Sequence, residues 1–157
     1  MTYLRKKKQQ NLTTSFTANA PLQDVSDSVI DIEKSSSSAL EVSFTPPDGN
    51  FEFVVYEFTI QYYHGTNNDT STNLNLELRQ KIGSDAYTQL GDGYRIRETA
   101  QYQSFQSTIT GRFLIPIYTG TRTYKMTIRA SANNREATLH RTRGGYVYSP
   151  IIQMYCI

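Results

Sequence analysis

The side chains best suited to metal binding are few and far apart in this sequence. His64 and His140 lie in or beside predicted turns, and Asp69 is the acidic residue that would have to complete a site with them. Zinc sites typically draw on ligands at close, regular spacing, and no such motif is present. The sequence therefore predicts no metal site.

Groups that could act in catalysis are equally scattered. The carboxylates stand singly, mostly at outward positions of predicted strands, so only the fold could pair a general acid with a general base. No nucleophile-elbow motif surrounds any serine, and Gly91-Asp92-Gly93 is too short to cradle a phosphate. The single cysteine, Cys156, lies in an apolar segment that favours a buried, inert thiol. We expect no enzymatic activity and no cofactor.

The strongest charge feature is the run Arg5, Lys6, Lys7 and Lys8. It is either a solvated tail or a contact with an acidic protein surface or nucleic acid. The net charge of the chain is only +2, which argues against nucleic acid as the main partner. No apolar core follows the run as in a signal peptide, and no stretch approaches the ~20 apolar residues of a membrane helix. We expect a protein made in a cytoplasm, with no membrane partner.

The stretch at residues 51–63 is the element around which the rest of the chain is arranged. It consists mainly of aromatic and β-branched residues, which fit a pleated, half-buried surface. At a period of two, one face of this stretch carries Val54, Tyr56, Phe58, Ile60 and Tyr62. The opposite face is apolar at one end and polar at the other. This pattern predicts the central strand of a β-sandwich.

Similar alternation recurs along the chain, with turn signals at about ten-residue spacing and no sustained helical period. Apolar residues make up 38% and charged residues 19% of the chain, and Ser, Thr, Asn and Gln fill the difference. These features predict an all-β fold, an antiparallel β-sandwich of the jelly-roll type with about eight strands. Residues 28–157 are predicted to form this domain, with loops at 35–38, 64–73 and 83–93 and an ambiguous, extended linker at 100–108.

Residues 1–27 are predicted to be an extended N-terminal arm, because their apolar residues are too few to bury a core. The arm is either a frayed terminus or a segment that adds a strand to a neighbouring subunit or a larger surface. In the second case the docking residues would be the basic run and Phe16.

The last predicted strand, residues 146–157, is apolar on both faces and therefore costly to leave in water. Either the fold covers both faces, or one face meets another subunit of a symmetric oligomer. We expect the oligomer. The residues predicted to build its subunit interface or the core are Tyr56, Phe58, Ile152, Met154 and Tyr155.

Four segments resemble small virion structural proteins of tailed bacteriophages. Residues 43–58 are similar to a "tPp-x-g" turn that leads into a "V-x-Y-x-F" strand of that group. Residues 124–130 and 136–140 are similar to its closing strands, and residues 149–155 to its last strand. The resemblance implies a jelly roll of the tumour-necrosis-factor or C1q-like kind, usually trimeric, without cofactor or catalytic residues. This chain differs from that group in its basic arm and its lack of tryptophan.

These observations predict a non-enzymatic virion structural protein on the capsid surface. It would be a cement or decoration protein that docks as a homotrimer on the shell of the major capsid protein, with the arm as the docking element. The alternative is a fibre or tail module that binds a host receptor or glycan through the loops at 64–73 and 83–93.

Overall fold

The computed structural model describes residues 14–17, 23–35, 38–64, 70–100, 105–131, 137–139 and 150–157. These residues form strands, turns and bends, and none of them lies in a helix that could cross a membrane. The strands are β1 (Thr14–Thr17), β2 (Gln23–Val25), β3 (Ile30–Asp31), β4 (Glu33–Ser35), β5 (Ser38–Ala39), β6 (Val42–Phe44), β7 (Phe53–His64), β8 (Thr70–Ile82), β9 (Thr88–Gln89), β10 (Tyr94–Ala100), β11 (Phe105–Pro116), β12 (Arg122–Ser131), β13 (Ala137–Leu139) and β14 (Ile151–Cys156).

Two six-stranded antiparallel sheets make up the body of the fold. The first sheet contains β1, β2, β7, β11, β13 and β14, with β7 at its centre. The second sheet contains β3, β6, β8, β9, β10 and β12. A small hairpin of β4 and β5 stands apart from both.

The order in which the strands pair is that of a jelly roll. Eight of the twelve strands in these two sheets carry the jelly-roll pairing: β1, β6, β7, β8, β10, β11, β12 and β14. The first of them pairs with the last, the second with the seventh, the third with the sixth, and the fourth with the fifth. Such nested pairing arises when one long hairpin rolls up into two sheets. The prediction of an all-β, antiparallel jelly-roll sandwich is therefore confirmed.

Aromatic rings from both sheets fill the space between them. Tyr56 of β7 lies 6.2 Å from Tyr124 of β12, measured between ring centroids, and 6.4 Å from Phe113 of β11. Phe58 contacts Tyr94 of β10 edge to face at 5.5 Å. The five inward residues predicted for the central strand are all buried. The core thus joins the two sheets through the strand that the sequence placed at the centre.

Several predicted boundaries are wrong because polar residues also form strand ladders. Residues 105–108, assigned to a linker, begin β11 and pair with the far half of β7. Residues 70–73, assigned to a loop, begin β8 and pair with β10 and β12. Ser35 and Ser38, assigned to the loop at 35–38, pair with each other in the small hairpin. Backbone hydrogen bonding, which Thr, Ser and Asn provide as well as apolar residues do, sets these boundaries.

Part of the predicted arm lies within the first sheet. β1 pairs with the last strand, so that Phe16 stands opposite Ile152, and β2 pairs with β13. Val25 at the end of β2 is fully buried in the core. The basic run at residues 5–8 lies outside the described residues. Any arm that precedes the sheet is therefore confined to residues before Thr14.

Candidate subunit interface on the outer face of the first sheet

The structure separates the five residues predicted for the interface or the core. Tyr56, Phe58, Ile152 and Met154 point between the sheets and are buried. Tyr155 points to the outer face of the first sheet and is only half-buried. The outer face, which faces away from the core, is therefore the part of β7 and β14 that another subunit could reach.

Val55 is buried even though it lies on this outer face. In the register of the sheet, Leu114 of β11 stands on one side of Val55 and Tyr155 of β14 on the other. Val55 is 1% exposed, whereas Leu114 is 49% exposed. The flanking side chains thus cover Val55 within the monomer and present their own apolar surface to solvent.

The neighbouring row of the outer face carries a single carboxylate between polar groups. Glu57 stands between Arg112 of β11 and Gln153 of β14 in the register. The Tyr155 hydroxyl donates a hydrogen bond to Glu57 Oε2 at 3.0 Å. Burial raises the pKa of Tyr155, and the hydrogen bond to Glu57 raises it further. Glu57 thus accepts a hydrogen bond from the neutral Tyr155 hydroxyl and stands opposite Arg112 in the register.

Apolar residues continue at both ends of the outer face. At one end Ile151, 43% exposed, stands opposite Thr59, whose hydroxyl lies 3.2 Å from that of Thr110. At the other end Ile157 is exposed, and its N–H donates to the Phe53 carbonyl oxygen. We call the set formed by Phe53, Val55, Leu114, Ile151, Tyr155 and Ile157 the apolar strip.

The outer face of the second sheet has a different chemistry, since ion pairs cover much of it. Lys125 Nζ lies 2.8 Å from Asp31 Oδ2, and Arg79 contacts Glu77 at 3.2 Å. Tyr87 lies under the Lys125 ammonium and donates its hydroxyl to Glu41 at 2.7 Å. Burial and the neighbouring Glu41 raise the pKa of Tyr87. Tyr87 thereby fastens the 83–93 connection to the second sheet.

A cleft of about 290 Å³ opens at the edge of the sandwich where β10 and β11 approach each other. Asp92 and Arg112 supply its charged groups, and Tyr94 and Leu114 supply apolar surface. Gly91 and Gly93 also line it. The part of the 83–93 connection that the alternative prediction assigned to receptor binding therefore borders a concave surface.

Other predicted sites lie beyond the part of the chain that the structure describes. They include Arg5, Lys6, Lys7 and Lys8, the side chain of Phe16, and the side chains of His64, Asp69 and His140. Within the described ranges, no three His, Cys, Asp or Glu residues are placed to hold a metal ion. Cys156 is buried, and burial raises the pKa of its thiol, as expected of an inert cysteine.

Sequence reasoning missed the pairing that buries Val55 beside Leu114 and Tyr155. Alternation alone assigned Val55 to the less apolar face of the central strand. Leu114 and Tyr155 are 59 and 100 positions away, so only the register of the sheet brings the three together. The signal available in the sequence was that each of the three strands, β7, β11 and β14, carries an apolar or aromatic residue at an outward position.

No family model matches the sequence, and no curated protein matches it. Among solved structures, the chain is similar to the structure of Eiger TNF from S. frugiperda, with a TM-score of 0.44 and 13% identity over 92% of this chain and 92% of that chain. It is also similar to a chain in the structure of infectious bursal disease virus Gt strain, with a TM-score of 0.43 and 6% identity. That match covers 94% of this chain and 38% of the viral chain.

Proposed function

We propose that the chain is a non-enzymatic virion structural protein, a capsid cement or decoration protein that acts as a homotrimer. The observation that carries the proposal is the apolar strip on the outer face of the first sheet. Exposed apolar surface on paired strands, crossed here by one polar row of Arg112, Glu57 and Gln153, is typical of a subunit interface. The copy number of three and the virion location come from the resemblance of residues 43–58, 124–130, 136–140 and 149–155.

The contrast between the two sheets supports the choice of face. Three carboxylates on the outer face of the second sheet are already engaged by cations, so this face has less apolar surface to bury against a second copy. The first sheet instead offers Leu114 and Ile151, each nearly half exposed. Burial of such side chains against a second copy is favourable by about 1 kcal/mol or more per residue.

The proposed mechanism is mass action on the assembled shell. A protein that binds the assembled shell of the major capsid protein, and not its loose subunits, shifts the equilibrium toward the shell. Three copies in one trimer multiply a weak contact by avidity. The proposed docking element consists of Arg5, Lys6, Lys7, Lys8 and Phe16. The protein would be made in the host cytoplasm and carried on the capsid surface.

The oligomer is tested with charge substitutions on the strip and at matched positions away from it. Leu114→Glu and Ile151→Glu place an additional carboxylate inside the proposed interface, where burial of its charge is costly. Val29→Glu and Ile82→Glu are the controls, because these residues are 50% and 51% exposed and lie on none of the three strands that carry the strip. Light scattering should give a trimer mass for wild type and both controls, and a monomer mass for both strip variants. A monomeric wild type, or equal dissociation of the controls, would contradict the proposal.

The alternative function, a fibre or tail module that binds a host receptor or glycan, is favoured by one observation. The cleft between β10 and β11 combines an aromatic ring, a carboxylate and a guanidinium, which are groups that bind sugars. A glycan array with wild type and Asp92→Ala tests it directly. A hit that the substitution abolishes would favour the fibre module, and a purified particle with dozens rather than hundreds of copies would agree.

A further inference from the structure

Two arginines stand in one row across the outer face of the second sheet. Arg129 of β12 and Arg95 of β10 both lie opposite Asn75 of β8, one on each side. Because adjacent strands are about 4.8 Å apart, the two positions are separated by roughly 10 Å. Both arginine side chains are exposed. The row therefore presents two guanidinium groups at a fixed spacing on rigid backbone.

The other cations of this face whose side chains the structure describes are already paired. Lys125 contacts Asp31, and Lys81 lies 3.9 Å from Glu41. The remaining pair joins Arg79 to Glu77. Arg95 and Arg129 make no ion pair within the described residues. Among the described side chains this face thus has five cations and three carboxylates in ion pairs, and the two cations outside those pairs are Arg95 and Arg129.

The geometry points to a docking surface for a carboxylate-bearing patch of a partner protein. We propose that the Arg95–Asn75–Arg129 row binds an acidic surface of the shell protein, which adds a second contact to the proposed function and rests on it for the identity of the partner. An exposed guanidinium with all five N–H donors available binds carboxylates in a bidentate manner. The row lies on the sheet opposite the apolar strip, so trimer formation leaves three copies of it accessible.

An acidic protein fits this row better than nucleic acid does. Proteins that bind single strands place aromatic rings between their cations, so that bases can stack. Here the residue between the two arginines is an asparagine, and Tyr94, the aromatic residue next to Arg95, packs inward against Phe58 and Phe113. Two exposed guanidinium groups about 10 Å apart match the side-chain carboxylates of an acidic protein surface.

The test uses the full chain and a fluorescent polyglutamate peptide as the probe at low ionic strength. Arg95→Glu and Arg129→Glu should each weaken binding about tenfold or more, and raised salt should weaken binding to wild type. Lys34→Glu is the matched control, because it reverses one exposed cation off the sheet and should change affinity less than about twofold. Arg95→Gln and Arg129→Gln repeat the test with a smaller change in charge, and circular dichroism checks the fold.

Two results would overturn the proposal. One is an equal effect of the Arg95, Arg129 and Lys34 substitutions, which would mean that only net charge matters. The other is tighter binding of single-stranded DNA or of a sialylated glycan than of polyglutamate, with the same dependence on the two arginines. Neither result depends on the mass of the oligomer. Failure of the docking proposal and failure of the trimer proposal can therefore be told apart.

Discussion

The hydroxyl of Tyr94 on the second sheet is hydrogen-bonded to both backbone groups of Arg112 on the first. It donates to the Arg112 carbonyl oxygen and accepts from the Arg112 N–H at 3.0 Å. Among the described strands β11 pairs only with β7, so these two groups face the open edge of the first sheet. Unpaired groups on an edge strand invite pairing with another chain. Tyr94 satisfies them and also joins the two sheets at this edge.

Substitution of Tyr94 by Phe should therefore destabilise the fold and open the edge. The ring keeps its contacts with Phe58 and Phe113, but Arg112 loses both hydrogen bonds. We expect a loss of about 1 kcal/mol in the free energy of unfolding, measured with urea, and faster hydrogen exchange at the Arg112 amide. The control is Tyr118→Phe, which removes the hydrogen bond from the Tyr118 hydroxyl to the Phe44 carbonyl oxygen and leaves Arg112 untouched. Unchanged exchange at Arg112 in the Tyr94 variant would refute this role.

Gly111 should tolerate no side chain, because Phe58 packs directly over its backbone. A Cβ at residue 111 would lie 2.6 Å from Phe58 Cζ and 3.2 Å from Tyr94 Cζ. Gly111→Ala should lower the free energy of unfolding by about 1–3 kcal/mol, the usual cost of overpacking a core. Thermal or urea unfolding measures the loss.

A second substitution separates overpacking at Gly111 from backbone strain. Phe58→Leu shortens the side chain that would clash, so Gly111→Ala should cost less in that background. Gly120→Ala is the control: Gly120 has a φ of +78°, and nothing lies within 4 Å of the Cβ it would gain. Its cost should be the same whether or not Phe58 is substituted. Equal costs for Gly111→Ala in both backgrounds would exclude the Phe58 contact as the cause.

Periodicity was sufficient to predict the fold class and the inward face of the central strand, because a strand buried on one face has to alternate. It failed where polar residues form a ladder, as at residues 70–73 and 105–108. It also could not locate the candidate interface. Val55, Leu114 and Tyr155 meet only through strand register, and register depends on the nested pairing of the whole chain.

Truncation of the N terminus tests where the arm ends and the domain begins. Removal of residues 1–13 should leave the free energy of unfolding nearly unchanged, since it spares β1 and β2. Removal of residues 1–25 deletes both strands and the buried Val25, whose side chain alone contributes about 1.5–3 kcal/mol. The second deletion should therefore destabilise or unfold the protein. Equal stability of the two truncated chains would place the whole predicted arm outside the domain.

Tyr56 should make the protein sensitive to alkali. Its ring is fully buried, burial raises the pKa of its hydroxyl, and that hydroxyl has no hydrogen-bond partner in the described part of the chain. Below pH 10 the hydroxyl is protonated in both the folded and the unfolded state. Above pH 10 the unfolded chain loses this proton and the folded chain keeps it, so stability falls as pH rises, by about 1.4 kcal/mol per pH unit for one tyrosine.

Tyr56→Phe should therefore reduce the fall in the free energy of unfolding above pH 10 by the contribution of one tyrosine. At neutral pH it should leave the free energy of unfolding unchanged or raise it. The gain at neutral pH follows because the substitution deletes a buried polar group that makes no hydrogen bond. Urea unfolding at a series of pH values measures both effects. Phe113→Leu is the control, because it alters the packing beside Tyr56 without removing an ionisable group and should lower stability equally at every pH. A Tyr56 variant with the wild-type slope would mean that another group causes the loss of stability in alkali.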